Sequence, residues 1–338
     1  MATYKKEGGV NVKSYTADPD KTYPSTFEGQ LYYNSSDGQF KYIGLGAGAW
    51  SSGGNLNNSR FGPAGTNSAG SQTAALAFGG DHMPTSPRMV GETESYNGSS
   101  WTELADLNTG RGQSAGGGTT TAAICFGGEG QPPGHEAQDV TETWNGSGWT
   151  ETADLSTARY AHAGFGTSTS AICASGGNPP STANVEQWDG SSWTEVSNVN
   201  GARGVKGAGL SGSAGLVFGG SPTATGNTEV WDGSSWTETA EMNTAKSNAS
   251  GFGIPTSAIC AGGSAPPGLL AVAEQFDGTS WTEVADLALA RNNQASSGSV
   301  TTGGLLAGGY APPGSPSYGR VETEEWTFAH SFKKVTTA

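Results

Sequence analysis

The chain has 338 residues, of which 34% are apolar and 55 are glycine, and its 16 Lys plus Arg against 30 Asp plus Glu leave a formal net charge of −14. Such a surface has no basic stripe to neutralise phosphates, which excludes nucleic acid and anionic membrane as partners. Ten Trp, ten Tyr and eleven Phe argue against a disordered chain and for a core of thin layers anchored by aromatics, with too few Leu and Ile for thick helical packing. No apolar run reaches membrane length, so no membrane insertion is expected. The opening MATYKKEGGV lacks a signal-peptide core, so the chain is expected to be made in a cytoplasm and to reach its destination without a secretory signal.

Residues 1 to about 45 are irregular, with Lys5, Lys6, Asp18-Pro19-Asp20 and the pair Tyr32 and Tyr33; the segment GQLYYNSSDGQFKYIG reads as a β-hairpin. From Trp50 onward the sequence repeats. Trp50, Trp101, Trp149, Trp193, Trp236 and Trp281 are each followed ten residues later by a cation: Arg60, Arg111, Arg159, Arg203, Lys246 and Arg291. The period is 43 to 51 residues, the range of a repeat architecture. A Gly-Gly pair follows each cation by 16 to 19 residues, and a second aromatic stands 12 to 18 residues further on: Tyr96, Trp144, Trp188, Trp231, Phe276 and Trp326.

These spacings predict four antiparallel strands per repeat. The Ala/Gly/Ser-rich stretch after the cation suits an innermost strand, where backbones crowd near an axis. The apolar run ending at Gly-Gly is the second strand. The second aromatic and the next tryptophan lie on the third and fourth, joined across Asn-Gly or Asp-Gly, the strongest short-range hairpin signal. The sixth unit supplies only three strands. Taking Trp50 as its fourth closes a ring, leaving residues 1–45 as an N-terminal arm and hairpin and 329–338 as a C-terminal tail around a repeat domain of 46–328.

Two residues before every third-strand aromatic stands a glutamate: Glu94, Glu142, Glu186, Glu229, Glu274 and Glu324. With the six cations they read as a structural ion-pair ring, one pair per repeat. The alternative, a ring of arginines for a ligand, is disfavoured because a catalytic site needs repeats that differ. Length variation falls in the loops between second and third strands, which also hold Pro132-Pro133-Gly134, Pro179-Pro180, Pro266-Pro267-Gly268 and Pro312-Pro313-Gly314; binding specificity is expected there, with neutral drift as the alternative. Cys125, Cys173 and Cys260 sit in apolar runs before Gly-Gly and read as inert core thiols. His82, His135, His162 and His330 show no metal-ligand spacing, and the first two read as solvated loop imidazoles. No cofactor, metal or catalytic motif is expected.

Gly-Gly with a downstream aromatic and tryptophan resembles the kelch motif. The expected fold is therefore an all-β, six-bladed kelch-like β-propeller closed by an N-terminal strand, with seven blades as the alternative, since SFKKVTT and the early hairpin could supply another. The DGSSW turns weakly resemble the sialidase Asp-box. The opening MATYKKEGGVNVKSYTADPDKTYPSTFEGQLYYNSSDG, followed by GAWSSGGNLNNSR and the tandem WDGSSWTE units, resembles kelch-like virion proteins of marine tailed phages, of the cyanophage and pelagiphage type. That resemblance implies a virion structural protein of the tail-fibre, head-fibre or capsid-decoration kind, not an enzyme. Its partners would be capsid or tail proteins held by the N-terminal arm (Lys5, Lys6, Tyr32, Tyr33), with a host-surface glycan as a further ligand. A carbohydrate-active enzyme or lectin on the same scaffold is the alternative, marked by unpaired acids in the central opening.

Overall fold

The structure is a computed structural model and describes residues 12–16, 31–67, 69–83, 87–177, 180–300, 302–311 and 319–335. Every regular element among them is a strand. After β1 (Lys13–Tyr15), β2 (Leu31–Asn34) and β3 (Gln39–Ser52), the strands fall into sheets in chain order. The first holds β4 (Ala64–Gly65), β5 (Ala75–Phe78), β6 (Thr93–Tyr96) and β7 (Trp101–Glu103); the second holds β8 (Ala115–Gly118), β9 (Ala123–Phe126), β10 (Thr141–Trp144) and β11 (Trp149–Glu151). The third holds β12 (Ala163–Thr167), β13 (Ser170–Ala174), β14 (Val185–Trp188) and β15 (Trp193–Val196); the fourth holds β16 (Gly204–Ser211), β17 (Ala214–Ser221), β18 (Thr228–Trp231) and β19 (Trp236–Thr239). In the fifth, β20 (Ser250–Ile254) and β21 (Ser257–Ala261) are separated from β24 (Ala273–Phe276) and β25 (Trp281–Val284) by a small hairpin, β22 (Ser264–Ala265) with β23 (Gly268–Leu269). The last sheet sets β26 (Ala295–Val300) beside β27 (Gly303–Ala307), β27 beside β28 (Thr323–Lys334), and β28 beside β3.

The chain divides into two compact units, Met1–Gly48 with Phe328–Ala338, and Ala49–Thr327. Both β3 and β28 contribute residues to each. In the first unit β1 runs parallel to β2, and β2 forms a hairpin with β3. Tyr32 is buried and meets Tyr15 edge-on at 5.9 Å, while Tyr33 lies 5.0 Å from Phe40, which is 40% exposed. Tyr32, expected as a docking contact, is thus consumed in this unit's own core. Lys5 and Lys6 lie outside the described residues, and the ten C-terminal residues, set apart in sequence as a tail, cluster with the N-terminal ones.

In the second unit each third strand reads buried, buried, half-buried, buried, and its last residue is the second aromatic of the repeat. That ring packs on the tryptophan of the fourth strand at 4.9 to 5.5 Å in Tyr96–Trp101, Trp144–Trp149, Trp188–Trp193, Trp231–Trp236 and Phe276–Trp281. Trp326 of β28 meets Trp50 of β3 at 5.2 Å in the same way. The hairpin between them is built by the Asx residue: in the fourth sheet Asp232 Oδ1 accepts the amides of Ser234 and Ser235, and Gly233 takes φ +97°. Three such carboxylates, Asp189, Asp232 and Asp277, are held at pKa values of about 2 by these hydrogen bonds, first among them the Ser192 and Ser235 amides for the first two and the Thr279 hydroxyl for the third. The Asp-box likeness therefore reduces to a turn device.

Adjacent sheets are joined by the indole N–H. Trp149 Nε1 donates to Thr93 Oγ1, Trp193 Nε1 to Thr141 Oγ1 and Trp281 Nε1 to Thr228 Oγ1, each reaching the first residue of the third strand in the preceding sheet at 2.9 to 3.0 Å. Trp101 of the first sheet donates to Thr323 of the last at 2.9 Å. Where the repeat places Val185 instead of Thr, Trp236 Nε1 turns to the Ser197 carbonyl. Where it places Ala273, Trp50 packs edge-on to Phe252 of the same sheet at 6.4 Å and its Nε1 finds no partner among the described residues. Ala273→Thr is therefore expected to stabilise the fold by about 0.5–1.5 kcal/mol by satisfying that buried donor. Urea unfolding of the two proteins measures it, and an unchanged or lowered midpoint refutes the assignment.

Candidate functional site

The six cations and six glutamates form a repeated charged arrangement among the described residues. Each cation lies at the entry to its sheet's first strand and reaches the glutamate of the same sheet's third strand. The pairs are Arg60–Glu94, Arg111–Glu142 at 2.7 Å, Arg159–Glu186, Arg203–Glu229 at 2.9 Å, Lys246–Glu274 at 3.1 Å and Arg291–Glu324 at 3.1 Å. All are buried except the Arg203 side chain, which is 13% exposed. A buried ion pair persists only if its remaining lone pairs and protons are hydrogen bonded, and the second glutamate oxygen shows how this is done. Oε2 accepts the backbone amide of the residue three before the cation in every repeat: Asn57, Asn108, Ser156, Asn200, Asn243 and Ala288, at 2.7 to 2.9 Å.

The residue before that amide is a buried apolar plug, Leu56, Leu107, Leu155, Val199, Met242 or Leu287. Its amide donates to the preceding sheet, as in Leu107 to the Gly91 carbonyl and Leu56 to the Val321 carbonyl. Each connection thus staples the sheet it leaves before feeding the glutamate of the sheet it enters. The cation's own carbonyl completes the junction by accepting from the Gly-Gly pair of the preceding sheet: Gly80 to Arg111, Gly128 to Arg159, Gly263 to Arg291 and Gly309 to Arg60, at 2.8 to 2.9 Å. Glycine is required because the approach is close. A Cβ on Gly262, which has φ +69°, would lie 2.4 Å from the Arg291 carbonyl oxygen.

The sequence reading found the cation and glutamate but missed the amide at three before the cation. An asparagine there in four of the six repeats was the available signal: the Nδ2 groups of Asn57, Asn108 and Asn243 also donate to the same Oε2 and to a tryptophan carbonyl. Because removing one member strands a buried charge, Arg159→Met should destabilise by about 3–5 kcal/mol. Arg320→Met, which breaks a partly exposed pair with Glu322, should cost at most about 1 kcal/mol. Guanidinium unfolding compares the two, and equal small losses would make the junctions ornamental.

The loops between second and third strands border two open grooves. One, of about 920 Å³, is lined by Pro222, Pro266, Pro267, Leu269, Asn292 and Tyr310 among others. The other, of about 510 Å³, includes Tyr160, Pro180, Ser181 and Pro222. Both linings are mostly Pro, Tyr and small residues with no formal charge. Residue 179 and residues 312–314 lie outside the described residues. Two histidines expected as solvated are instead partnered: His82 Nε2 lies 3.1 Å from Glu92 and His135 Nδ1 2.8 Å from Glu129, because both imidazoles fold back onto the loops' own carboxylates. Cys125, Cys173 and Cys260 are free and buried, and burial pushes the last two thiols up to about 12. Among the described residues no group of His, Cys, Asp and Glu could hold a metal, and no helix is long and apolar enough to cross a membrane.

His162 is fully enclosed, its Nε2 bonded to the Phe126 carbonyl at 3.2 Å. Burial, with Arg159 and Lys206 nearby, lowers its pKa to about 3. The folded protein therefore excludes a proton that the unfolded chain accepts near 6.5. The stability difference is absent above that value and grows as pH falls toward 3, by about 1.4 kcal/mol per pH unit. His162→Gln should flatten the stability profile between about pH 6 and pH 4, measured by denaturant unfolding at each pH; parallel profiles for the two proteins would contradict a buried neutral imidazole.

No family model matches the chain, and no curated protein matches it. Among solved structures, that of YjhT superposes with a TM-score of 0.64 at 13% sequence identity, covering 80% of this chain and 95% of that one. The likeness bears on fold alone. With the repeated four-stranded antiparallel sheets, it makes this an all-β protein of β-propeller architecture.

Proposed function

We propose that the second unit is a six-bladed propeller closed by the strand around Trp50, and that the protein is a non-catalytic display module of a phage virion. Supporting six blades and this closure, the junction between the last sheet and the first has the parts of the other junctions: Gly309 to Arg60, Leu56 to Val321, Trp101 to Thr323 and the Trp50–Trp326 pair. The observation that carries the functional reading is the division of labour between the units. A repeated ring spends its cations and acids on its own junctions and leaves wide, uncharged, Pro- and Tyr-lined grooves on its loops, suited to neutral polar ligands such as a glycan. A separate unit made from both chain ends is spare for attachment. The assignment to a virion rests on the resemblance of the opening segment and the tandem WDGSSWTE units to virion proteins of marine tailed phages.

Virions produced with a chain lacking residues 1–40 but keeping Trp50 test the attachment reading. The truncated protein should fold with its ring intact and be missing from purified particles; full occupancy would shift docking to the propeller. Removal of residues 1–56 should instead unfold the ring, since it takes away β3 and opens a sheet edge. An unchanged melting temperature would overturn the closure.

A further inference from the structure

The position seven residues after the cation is glycine in four repeats, Gly118, Gly166, Gly253 and Gly298, and all four take positive φ, from +110° to +156°. The fourth repeat, where β16 carries a register shift, has Leu210 there. The first repeat departs in another way: Asn67 stands in the left-handed region at φ +48°, with a side chain where those four have none. The exceptions continue one position earlier. Among Thr66, Gly117, Phe165, Gly209, Phe252 and Ser297, only Thr66 and Ser297 are polar, and their hydroxyls meet at 3.1 Å.

The first strands of the six sheets pack one on the next, β4 on β8, β8 on β12, β12 on β16, β16 on β20, β20 on β26 and β26 back on β4. Asn67 crosses this cycle from side to side. Its backbone is fixed where the first and last sheets meet: its amide donates to the Ser296 carbonyl at 2.8 Å, and its carbonyl accepts from the Gly298 amide at 3.0 Å. Its carboxamide reaches the far side, where Nδ2 donates to the Gly164 carbonyl of β12 at 2.8 Å and to the Gly207 carbonyl of β16 at 3.1 Å. Two carbonyl oxygens can only accept, so Nδ2 and not Oδ1 faces them. The base of the crossing is built at this seam alone. The Ser297 hydroxyl donates onward to the Ser71 carbonyl at 3.2 Å, and a Cβ on Gly70 would lie 2.2 Å from Ser297 Oγ.

We infer that Asn67 is a latch across the axial opening: it ties the junction of the first and last sheets to the third and fourth, and it bars the axis at its own level. A backbone conformation that the repeats otherwise give to glycine is here given to a residue with a side chain, and that side chain spends its donor on two sheets remote from its own. The junctions described above each join neighbouring sheets, whereas this contact joins sheets that do not touch through their first strands. The inference rests on the cyclic packing of those strands and stands apart from the virion and glycan readings.

The test is hydrogen–deuterium exchange of the full chain, unaltered and as Asn67→Gly. Glycine is the residue that four other repeats carry at this position, so the backbone keeps its conformation and only the carboxamide is lost. Amides of β12 and β16 should exchange about tenfold faster in the variant, while those of β14 and β18, the third strands of the same sheets, keep their rates. Asn67→Asp, which turns a carboxylate toward two carbonyl oxygens, should speed β12 and β16 further. Unchanged rates in β12 and β16, or an equal rise in every strand, would refute the latch. Should the variants fail to fold, a crystal structure of the unaltered protein decides: a carboxamide in contact with Gly164 and Gly207 supports the inference, and one turned away from both overturns it.

Discussion

The fold depends on one buried contact, the glutamate carboxylate that takes a guanidinium or ammonium on one oxygen and a backbone amide on the other. A carboxylate withdrawn from water is tolerated only when both oxygens are used, and here each oxygen is supplied by a different stretch of chain. The cation comes from the start of a sheet's innermost strand, and the amide from the connection that has just left the previous sheet. The glutamate therefore fixes where one sheet ends relative to where the next begins. The repeat's rigid spacing, tryptophan to cation in ten residues, is the length of connection needed to cross from one sheet's outer edge to the next sheet's inner edge with that amide in place.

Around this contact the other junction parts are arranged by size. The apolar plug before the amide fills the gap beneath the connection, the Gly-Gly pair lets the cation's carbonyl approach, and the indole N–H ties the outer strands. These parts tolerate change unequally. Lys246 replaces arginine, and the amide-bearing residue varies among Asn, Ser and Ala because only its backbone is needed. The glutamate and the first glycine are invariant across the six repeats, since one must accept twice and the other has no room for a Cβ.

Much of this was legible in the sequence, and for a physical reason: a contact made repeatedly leaves a periodic mark. The third and fourth strands followed from Asn-Gly and Asp-Gly between aromatics, and the partners Arg159 and Glu186 from their recurrence in each repeat. What recurrence could not show was anything made by backbone, such as the Ser156 amide, or anything made once. The partnering of His82 by Glu92 and of His135 by Glu129 depends on how two unrelated loops fold, and no spacing announces it. The burial of Tyr32 was hidden because the hairpin reads as exposed until β1 is seen lying parallel to it.

The pairing of β3 with β28 has a mechanical side. The chain enters the repeat unit at Ala49 and leaves it at Thr327, on neighbouring strands of the same sheet. Tension applied through the chain ends is therefore handed directly from one of these strands to the other, and the remaining five sheets lie outside the load path. The repeat unit is thus loaded at a single strand pair. Its resistance to pulling is set by the few hydrogen bonds and the Trp50–Trp326 contact of that one strand pair, whatever the stability of the rest.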